Sequence, residues 1–302
     1  MSKFETSLAF EATEMSAIPG APRIGHARPP LLRQVQVVDE YGERRTIDLP
    51  AERPLTVYVD TRELVTLMTL GACADLLVLG YLLNQGLIER ADEVDGIDVD
   101  WEVEAAAVKT RAGVASFAEK TARRVVTTGC GQGTVFGDAI AEVDAVRLPP
   151  PTSARISQAA LLQILDQMRL RQSVHKQAGS VHGCALFDAG RMLVFVEDVG
   201  RHNAIDTIAG WMALHGVGGG DKVFYTTGRL TSEMVMKSAR MGVPIIISRN
   251  GVTAMGYELA TRVGMTLFGR ASNRHFICYS GFDRFDATPE PKRLALPAAT
   301  SA

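Results

Sequence analysis

The sixteen residues Phe195-Val-Glu-Asp-Val-Gly-Arg-His-Asn-Ala-Ile-Asp-Thr-Ile-Ala-Gly210 constrain this chain more than any other stretch. An apolar strand ends in Glu197 and Asp198, Gly200 makes a turn, and Arg201, His202, Asn203 and Asp206 open an amphipathic helix. A strand that passes through a glycine turn into a helix is the unit of an α/β sheet. Ligands bind at such turns, because strand ends and helix N-terminal N–H groups converge there. A capped helix with a surface ion pair would need fewer polar groups than this turn holds. His202 and Asp206 lie four apart on one helix face, a spacing that suits an ion pair and permits a shared metal.

Two more turns repeat the pattern. Thr226-Thr-Gly-Arg-Leu-Thr-Ser-Glu233 and Ser248-Arg-Asn-Gly-Val-Thr253 also follow apolar strands and precede helices. Each carries arginine, glycine and hydroxyl or amide groups. Arginine forks match phosphate geometry, and glycine lets backbone N–H groups approach a ligand. If the strands are parallel, the three turns share one sheet edge and form a phosphate or nucleotide cradle. No Walker motif and no Gly-x-Gly-x-x-Gly occurs, so the expected site is neither a P-loop nor a Rossmann site. His182, just before a strand, is a further candidate as ligand contact, proton donor or structural residue.

The 302 residues suffice for two domains, and a formal net charge of −2 argues against nucleic-acid or membrane-surface binding. No apolar run is long enough to cross a membrane, and no signal peptide is read. The four cysteines form no Cys-x-x-Cys pair, which suits free thiols in a reducing cytoplasm.

Residues 1–30 read as a flexible arm and 283–302 as a disordered tail, both rich in proline. Residues 31–150 read as an α+β domain. It has alternating strands over 31–60 joined through Tyr41-Gly-Glu, a helix over 72–85, and strands over 97–110 and 114–127. Pro149-Pro-Pro151 marks the boundary, and Ser153 is expected to cap a helix reaching about Arg171. Residues 151–282 then alternate helix and strand as a three-layer α/β/α sandwich: strands 183–187, 192–196, 222–227, 243–248, 265–269 and 275–279, with helices 202–214, 231–241 and 253–263.

One further site stands apart. Cys130 lies in Thr127-Thr-Gly-Cys-Gly-Gln-Gly-Thr-Val-Phe-Gly137, with Gly129, Gly131 and Gly133 around it. Structural cysteines sit in apolar elements, as Cys73, Cys184 and Cys278 do. A thiol on an exposed glycine loop suits a nucleophile or a sulfur carrier, and Arg123 and Arg124 would favour its thiolate.

Cys130-Gly-Gln-Gly, Ala178-Gly-Ser-Val-His-Gly-Cys-Ala-Leu, Glu197-Asp-Val-Gly-Arg-His-Asn-Ala-Ile-Asp, Thr227-Gly-Arg-Leu-Thr-Ser-Glu-Met-Val-Met-Lys237 and Ile246-Ile-Ser-Arg-Asn-Gly-Val-Thr253 together resemble the FdhD family of formate dehydrogenase accessory sulfurtransferases. The resemblance spans roughly residues 31–282 and implies a cytidine deaminase-like second domain. No Pro-Cys-x-x-Cys or His-x-Glu of a zinc deaminase occurs. It implies that Cys130 takes persulfide sulfur from a cysteine desulfurase. The sulfur passes to the molybdenum of bis-molybdopterin guanine dinucleotide before that cofactor enters formate dehydrogenase. The implied cofactor contacts are His182, Asp198, Gly200, Arg201, His202, Asn203, Thr227, Gly228, Arg229, Ser232, Glu233, Lys237, Ser248, Thr253, Phe276, Ile277, Cys278, Tyr279 and Ser280, with GDP as a mimic. A homodimer is also implied. Two departures stand out: Gly133 replaces the family's second loop cysteine, and Ala178-Gly-Ser180 replaces its usual Thr-Gly-Gly. Gly133 keeps an alternative open, a cofactor-binding chaperone that moves no sulfur.

Overall fold

A computed structural model describes residues 9–25, 27–111, 113 and 146–288. The Cys130 loop and the strand expected over 114–127 lie outside these residues.

The strands are β1 (Phe10–Ala12), β2 (Arg23–Ile24), β3 (Leu32–Val38), β4 (Arg44–Pro50), β5 (Arg53–Val59), β6 (Arg62–Thr69), β7 (Val94–Asp100), β8 (Ala105–Thr110), β9 (Ile156–Ser157), β10 (His182–Asp188), β11 (Arg191–Asp198), β12 (Lys222–Thr226), β13 (Ile245–Ser248), β14 (Thr266–Ser272), β15 (His275–Ser280) and β16 (Phe285–Asp286). The helices are α1 (Ala74–Asn84), α2 (Gln158–Leu170), α3 (Val174–Ala178), α4 (Arg201–His215), α5 (Ser232–Arg240) and α6 (Ala254–Arg262).

A seven-stranded sheet in the order β1-β11-β10-β12-β13-β14-β15 carries the site, and a five-stranded sheet in the order β2-β7-β8-β5-β6 stands beside it. β12, β13 and β14 are parallel, whereas β10 runs antiparallel to both of its neighbours, β11 and β12. The large sheet is therefore mixed. Because β10 reverses between them, β11 and β12 still point the same way, and the ends of β11, β12 and β13 meet at one edge.

Alternation along the strands assigns the two faces. Ala185, Phe187, Phe195, Tyr225, Ile247 and Phe268 pack with Leu161, Ile164 and Leu165 of α2. On the other face, Cys184, Leu186, Val194, Val196, Phe224, Ile246 and Leu267 join α4, α5 and α1 in one core that extends to Leu55, Val57, Ile97 and Val108 of the smaller sheet. The two sheets thus share an apolar core through α1 and α4.

These helices cross with almost no gap. A Cβ on Gly80 would lie 1.7 Å from the Asp206 carbonyl oxygen, and one on Gly210 would lie 2.0 Å from that of Leu76. Close approach buries α4 on every side from His202 to Met212. The expectation of an amphipathic α4 is overturned for this reason: α1 covers the face that would otherwise meet water.

Other differences are local. Ser157, not Ser153, caps α2, its hydroxyl accepting from the Ala160 N–H. Residues 97–110 hold part of one strand and all of another, β7 and β8, which pair antiparallel around the turn at Trp101. Residues read as an arm include β1, which pairs with β11, and β2, which pairs with β7. The stretch read as a tail includes Arg284, only 3% exposed, and Phe285, edge-on to Phe268 and Phe276. The β3–β4 hairpin does form through Tyr41-Gly-Glu, where Asp39 Oδ1 accepts the N–H groups of Tyr41 and Glu43.

Candidate functional site

The strand ends lie in register along one edge: His182 pairs with Asp198, Cys184 with Thr226, and Thr226 with Ser248. Short bonds tie the three turns together. Thr227 Oγ1 accepts the Gly183 N–H at 3.0 Å and lies 3.4 Å from His182 Nδ1. Ser248 Oγ donates to the Gly228 carbonyl at 2.6 Å and accepts the Asn250 N–H at 2.9 Å. Thr253 caps α6 by accepting the Gly256 N–H. Gly228 has a packing reason, because a Cβ there would lie 2.6 Å from Arg201 Cδ. The Arg201 stem crosses bare backbone at that point, and Arg229 next to it is exposed. Ser232 and Glu233 occupy the first turn of α5, both half-buried.

Several polar residues expected to face a ligand point instead into the protein. Asp198 accepts from Thr69 Oγ1 at 2.5 Å, Leu70 N at 3.1 Å, Gly200 N at 3.1 Å and Asn203 Nδ2 at 2.8 Å. Burial pushes its pKa up to about 6 in spite of these donors. Asn203 Nδ2 also reaches the Met68 carbonyl, so Asp198 and Asn203 clamp the end of β6 against the start of α4. Lys237 is 2% exposed, its Nζ 2.6 Å from Asp206 Oδ2, and Asn84 Nδ2 donates to Asp206 Oδ1 at 2.7 Å. Asp206 therefore pairs with α5 and α1 and not with His202, which overturns the pair expected from their spacing. His202 is 3% exposed. Burial, reinforced by Lys237, Arg201 and His182, holds its pKa down to about 2, so its contact with Glu233 Oε2 at 3.4 Å is made by a neutral ring. Among the described residues no cluster of three His, Cys, Asp or Glu is placed to hold a metal ion.

Two clefts open on either side of the start of β10. The first has a volume of about 440 Å³ and lies beside the C-terminal end of α2. Arg169, Arg171, His175, Lys176 and Arg249 supply positive groups, Phe195 and Tyr225 supply aromatic surface, and Gly183 and Thr227 supply the strand edge. Arg171 stacks 4.1 Å above the Phe195 ring and pairs with Glu11 at 2.7 Å. Glu197 lines the inner wall and anchors the turn before α3, its carboxylate accepting the Val174 N–H at 2.6 Å and the His175 N–H at 3.3 Å. Burial raises its pKa to about 7. This combination of cations, aromatic rings and backbone edges suits a nucleoside phosphate.

Ala271, Ser272 and Asn273 of the β14–β15 turn also line this cleft. The resemblance implies cofactor contacts on the strand that follows, at Phe276–Ser280. There Phe276 packs edge-on against Phe268 and Phe285, Cys278 packs on the same inner face, and Ser280 Oγ donates to the Met265 carbonyl. Ile277 and Tyr279 take alternate positions along the same strand, with Tyr279 against Gly269. Arg169 at the end of α2, Arg171 just after it and Lys176 in α3 also line this cleft and were not among the expected contacts. Their signal was cations at the C-terminal end of an amphipathic helix, a pattern common on any helix surface.

The second cleft, of about 310 Å³, lies between β6 and the start of α4 and is lined by Glu52, Thr66, Leu67, Met68, His182, Val199 and Gly200 through Asn203. The expected contacts thus divide: Thr227 borders the first cleft, whereas His182 and residues 200–203 border the second.

The chain matches the FdhD/NarQ family over residues 50–286. It is 29% identical over 239 residues to the sulfur carrier protein FdhD of Geobacillus kaustophilus (strain HTA426), covering 77% of this chain and 88% of the relative. Identity is also 29% over 250 residues to the sulfur carrier protein FdhD of Bacillus subtilis (strain 168), covering 81% and 94%. A crystal structure from Desulfotalea psychrophila, described as a formate dehydrogenase accessory protein, superposes with a TM-score of 0.66 at 27% identity, covering 84% of this chain and 98% of that one. With the family matched across both sheets and all three turns, this chain belongs to the FdhD/NarQ family.

Proposed function

We propose that this protein is a sulfurtransferase and carrier that readies the molybdenum cofactor of formate dehydrogenase. Cys130 receives sulfane sulfur from a cysteine desulfurase as a persulfide. The terminal sulfur passes to the reduced molybdenum of bis-molybdopterin guanine dinucleotide, which is cargo here and supplies the two electrons that turn it into sulfide, and the Cys130 thiolate is left behind. A guanine nucleotide arm of the cargo occupies the first cleft, and the seven-stranded sheet with its helices is of the cytidine deaminase-like type. The protein acts as a homodimer in the cytoplasm.

The observation that carries this reading is the cationic and aromatic first cleft at the shared edge of three helix-leading turns. Arg169, Arg171, Lys176 and Arg249 suit the phosphates, and the nearly buried Phe195 and Tyr225 form an apolar floor beneath them. Relatives named sulfur carrier proteins support the sulfur role, and the accessory-protein neighbour supports formate dehydrogenase as client. Incubation with a cysteine desulfurase and cysteine, followed by mass spectrometry, should place one extra sulfur on Cys130. Calorimetry should show GDP binding that Arg249→Ala weakens.

Gly133 favours a second reading, a cofactor chaperone that transfers no sulfur, because the sequence around Cys130 supplies no second cysteine for exchange. GDP binding without persulfide on Cys130 would establish that second reading.

A further inference from the structure

The second cleft has its own chemistry. It lies at the N-terminus of α4, a fifteen-residue helix whose N-cap, Gly200, makes no side-chain cap. Helix N-termini carry partial positive charge and favour anions. Arg201 lines the cleft beside them. A second, independent feature points to a ligand. His202, 3% exposed, also lines the cleft; its Nε2 faces Glu233 Oε2 at 3.4 Å without hydrogen-bond geometry, and its Nδ1 makes no hydrogen bond among the described residues. Buried polar groups in folded proteins are nearly always partnered, so such a ring calls for an explanation.

We propose that this cleft is a small-anion subsite, separate from the nucleotide cleft, that takes a compact anionic group, either an anionic terminal sulfur, as in a persulfide or thiosulfate, or an oxyanion such as sulfate. The proposal rests on the reading above, in which nucleotide fills the first cleft. Asp198 and Asn203 hold the subsite's two walls together without contributing charge to its mouth, since Asp198 is buried and accepts donors from both walls. Glu52 on the outer wall is exposed and is the one acid among the lining residues.

The electrostatics agree in sign. Burial first, then Arg201, His175 and Arg229, lower the pKa of His182, while burial, Lys237, Arg201 and His182 lower that of His202. Glu233 is the acid facing His202, at 3.4 Å. An anion arriving beside both rings relieves this repulsion. Its binding therefore favours proton uptake by these rings.

The test is imidazole NMR on the full-length protein, with resonances assigned through His182→Gln and His202→Gln. GDP is added to saturation, then thiosulfate in one arm and sulfate in the other. Either anion should shift the His182 and His202 resonances with GDP still bound. Thiosulfate acting alone identifies the sulfane-sulfur source, and sulfate acting alone identifies the oxyanion source. Arg201→Gln, with folding confirmed by its thermal melt, should weaken the response by about tenfold. Absence of shifts with either anion at tens of millimolar overturns the subsite, and so does loss of the shifts on adding GDP. Failure of GDP itself to bind would overturn the nucleotide reading instead, so the two failures are told apart.

Discussion

Replacing Gly80 with alanine tests the crossing that joins the two sheets. The new Cβ would lie 1.7 Å from the Asp206 carbonyl oxygen and 2.6 Å from the Gly210 nitrogen. Comfortable heavy-atom contact is near ~3.5 Å, so α1 and α4 must part by well over about 1 Å. Both contacts are backbone, so no rotamer change relieves them. Separation would loosen the packing of Leu77, Tyr81, Ile205 and Trp211, all fully or nearly buried, and would stretch the 2.7 Å bond from Asn84 to Asp206. Overpacking typically costs about 1–3 kcal/mol and more where only backbone can move, so a cost of about 4 kcal/mol is set against a gain of about 1 kcal/mol from replacing glycine by alanine in a helix. The net loss, about 3 kcal/mol, corresponds to a fall in Tm of roughly 6–12 °C. Gly218→Ala is the control, because no atom lies within 4 Å of the place its Cβ would take. Thermal and urea unfolding followed by circular dichroism would measure both. A Gly80→Ala protein as stable as Gly218→Ala would refute the close crossing.

Lys237→Met should destabilise by about 3–5 kcal/mol in urea unfolding, because it leaves Asp206 buried with an uncompensated charge. Adding Asp206→Asn should recover part of that loss; an unchanged double variant would count against the buried pair. Acidification acts on two groups in opposite senses. His202, held near 2 against an ordinary 6.5, removes stability as pH falls below 6.5, because only the unfolded chain then gains its proton. Glu197, raised to about 7 from 4.5, does the reverse: its burden is relieved as pH falls through 7 toward 4.5. Glu197→Gln should therefore make stability fall more steeply between pH 7 and 5, read from urea midpoints, and an unchanged slope would refute this assignment. Cys130→Ala should fold, bind GDP and fail to restore formate dehydrogenase activity in a strain lacking the native protein, whereas full restoration would rule out transfer through this thiol.

Much of the seven-stranded sheet could be read from residues alone, because its strands and helices alternate and each turn carries a strong local signal. Thr253 before α6 and Gly216 after α4 are examples, a hydroxyl cap and a left-handed glycine at φ 65°. What could not be read depends on distant segments. Ser153 and Ser157 are both acceptable caps, and only the pairing of Ile156–Ser157 with Phe285–Asp286 decides between them. That same pairing orders residues that composition marks as tail. The reversal of β10 is equally silent in sequence, since a short apolar strand looks the same in either direction.

The polar residues of α4 show how a correct motif can be assigned the wrong partners. His202, Asn203 and Asp206 are too polar for an ordinary core helix, so sequence reasoning aimed them at solvent or ligand. α1 covers that face, since Gly80 and Gly210 admit it to contact distance, and the polar groups become the joint between the sheets. Asn203 with Asp198 holds β6, and Asp206 with Lys237 and Asn84 holds α1 and α5. The clefts are instead lined by residues with weaker sequence signals: Arg169, Arg171 and Lys176 on one side of β10, and Arg201 with His182 on the other. A buried polar joint of this kind is costly unless every member is satisfied. Asp198 and Asp206 meet that condition through bonds on the protein itself, and among the described residues His202 does not. The unmet member of the joint thus lies at the boundary between scaffold and cleft, which is where a ligand can complete it.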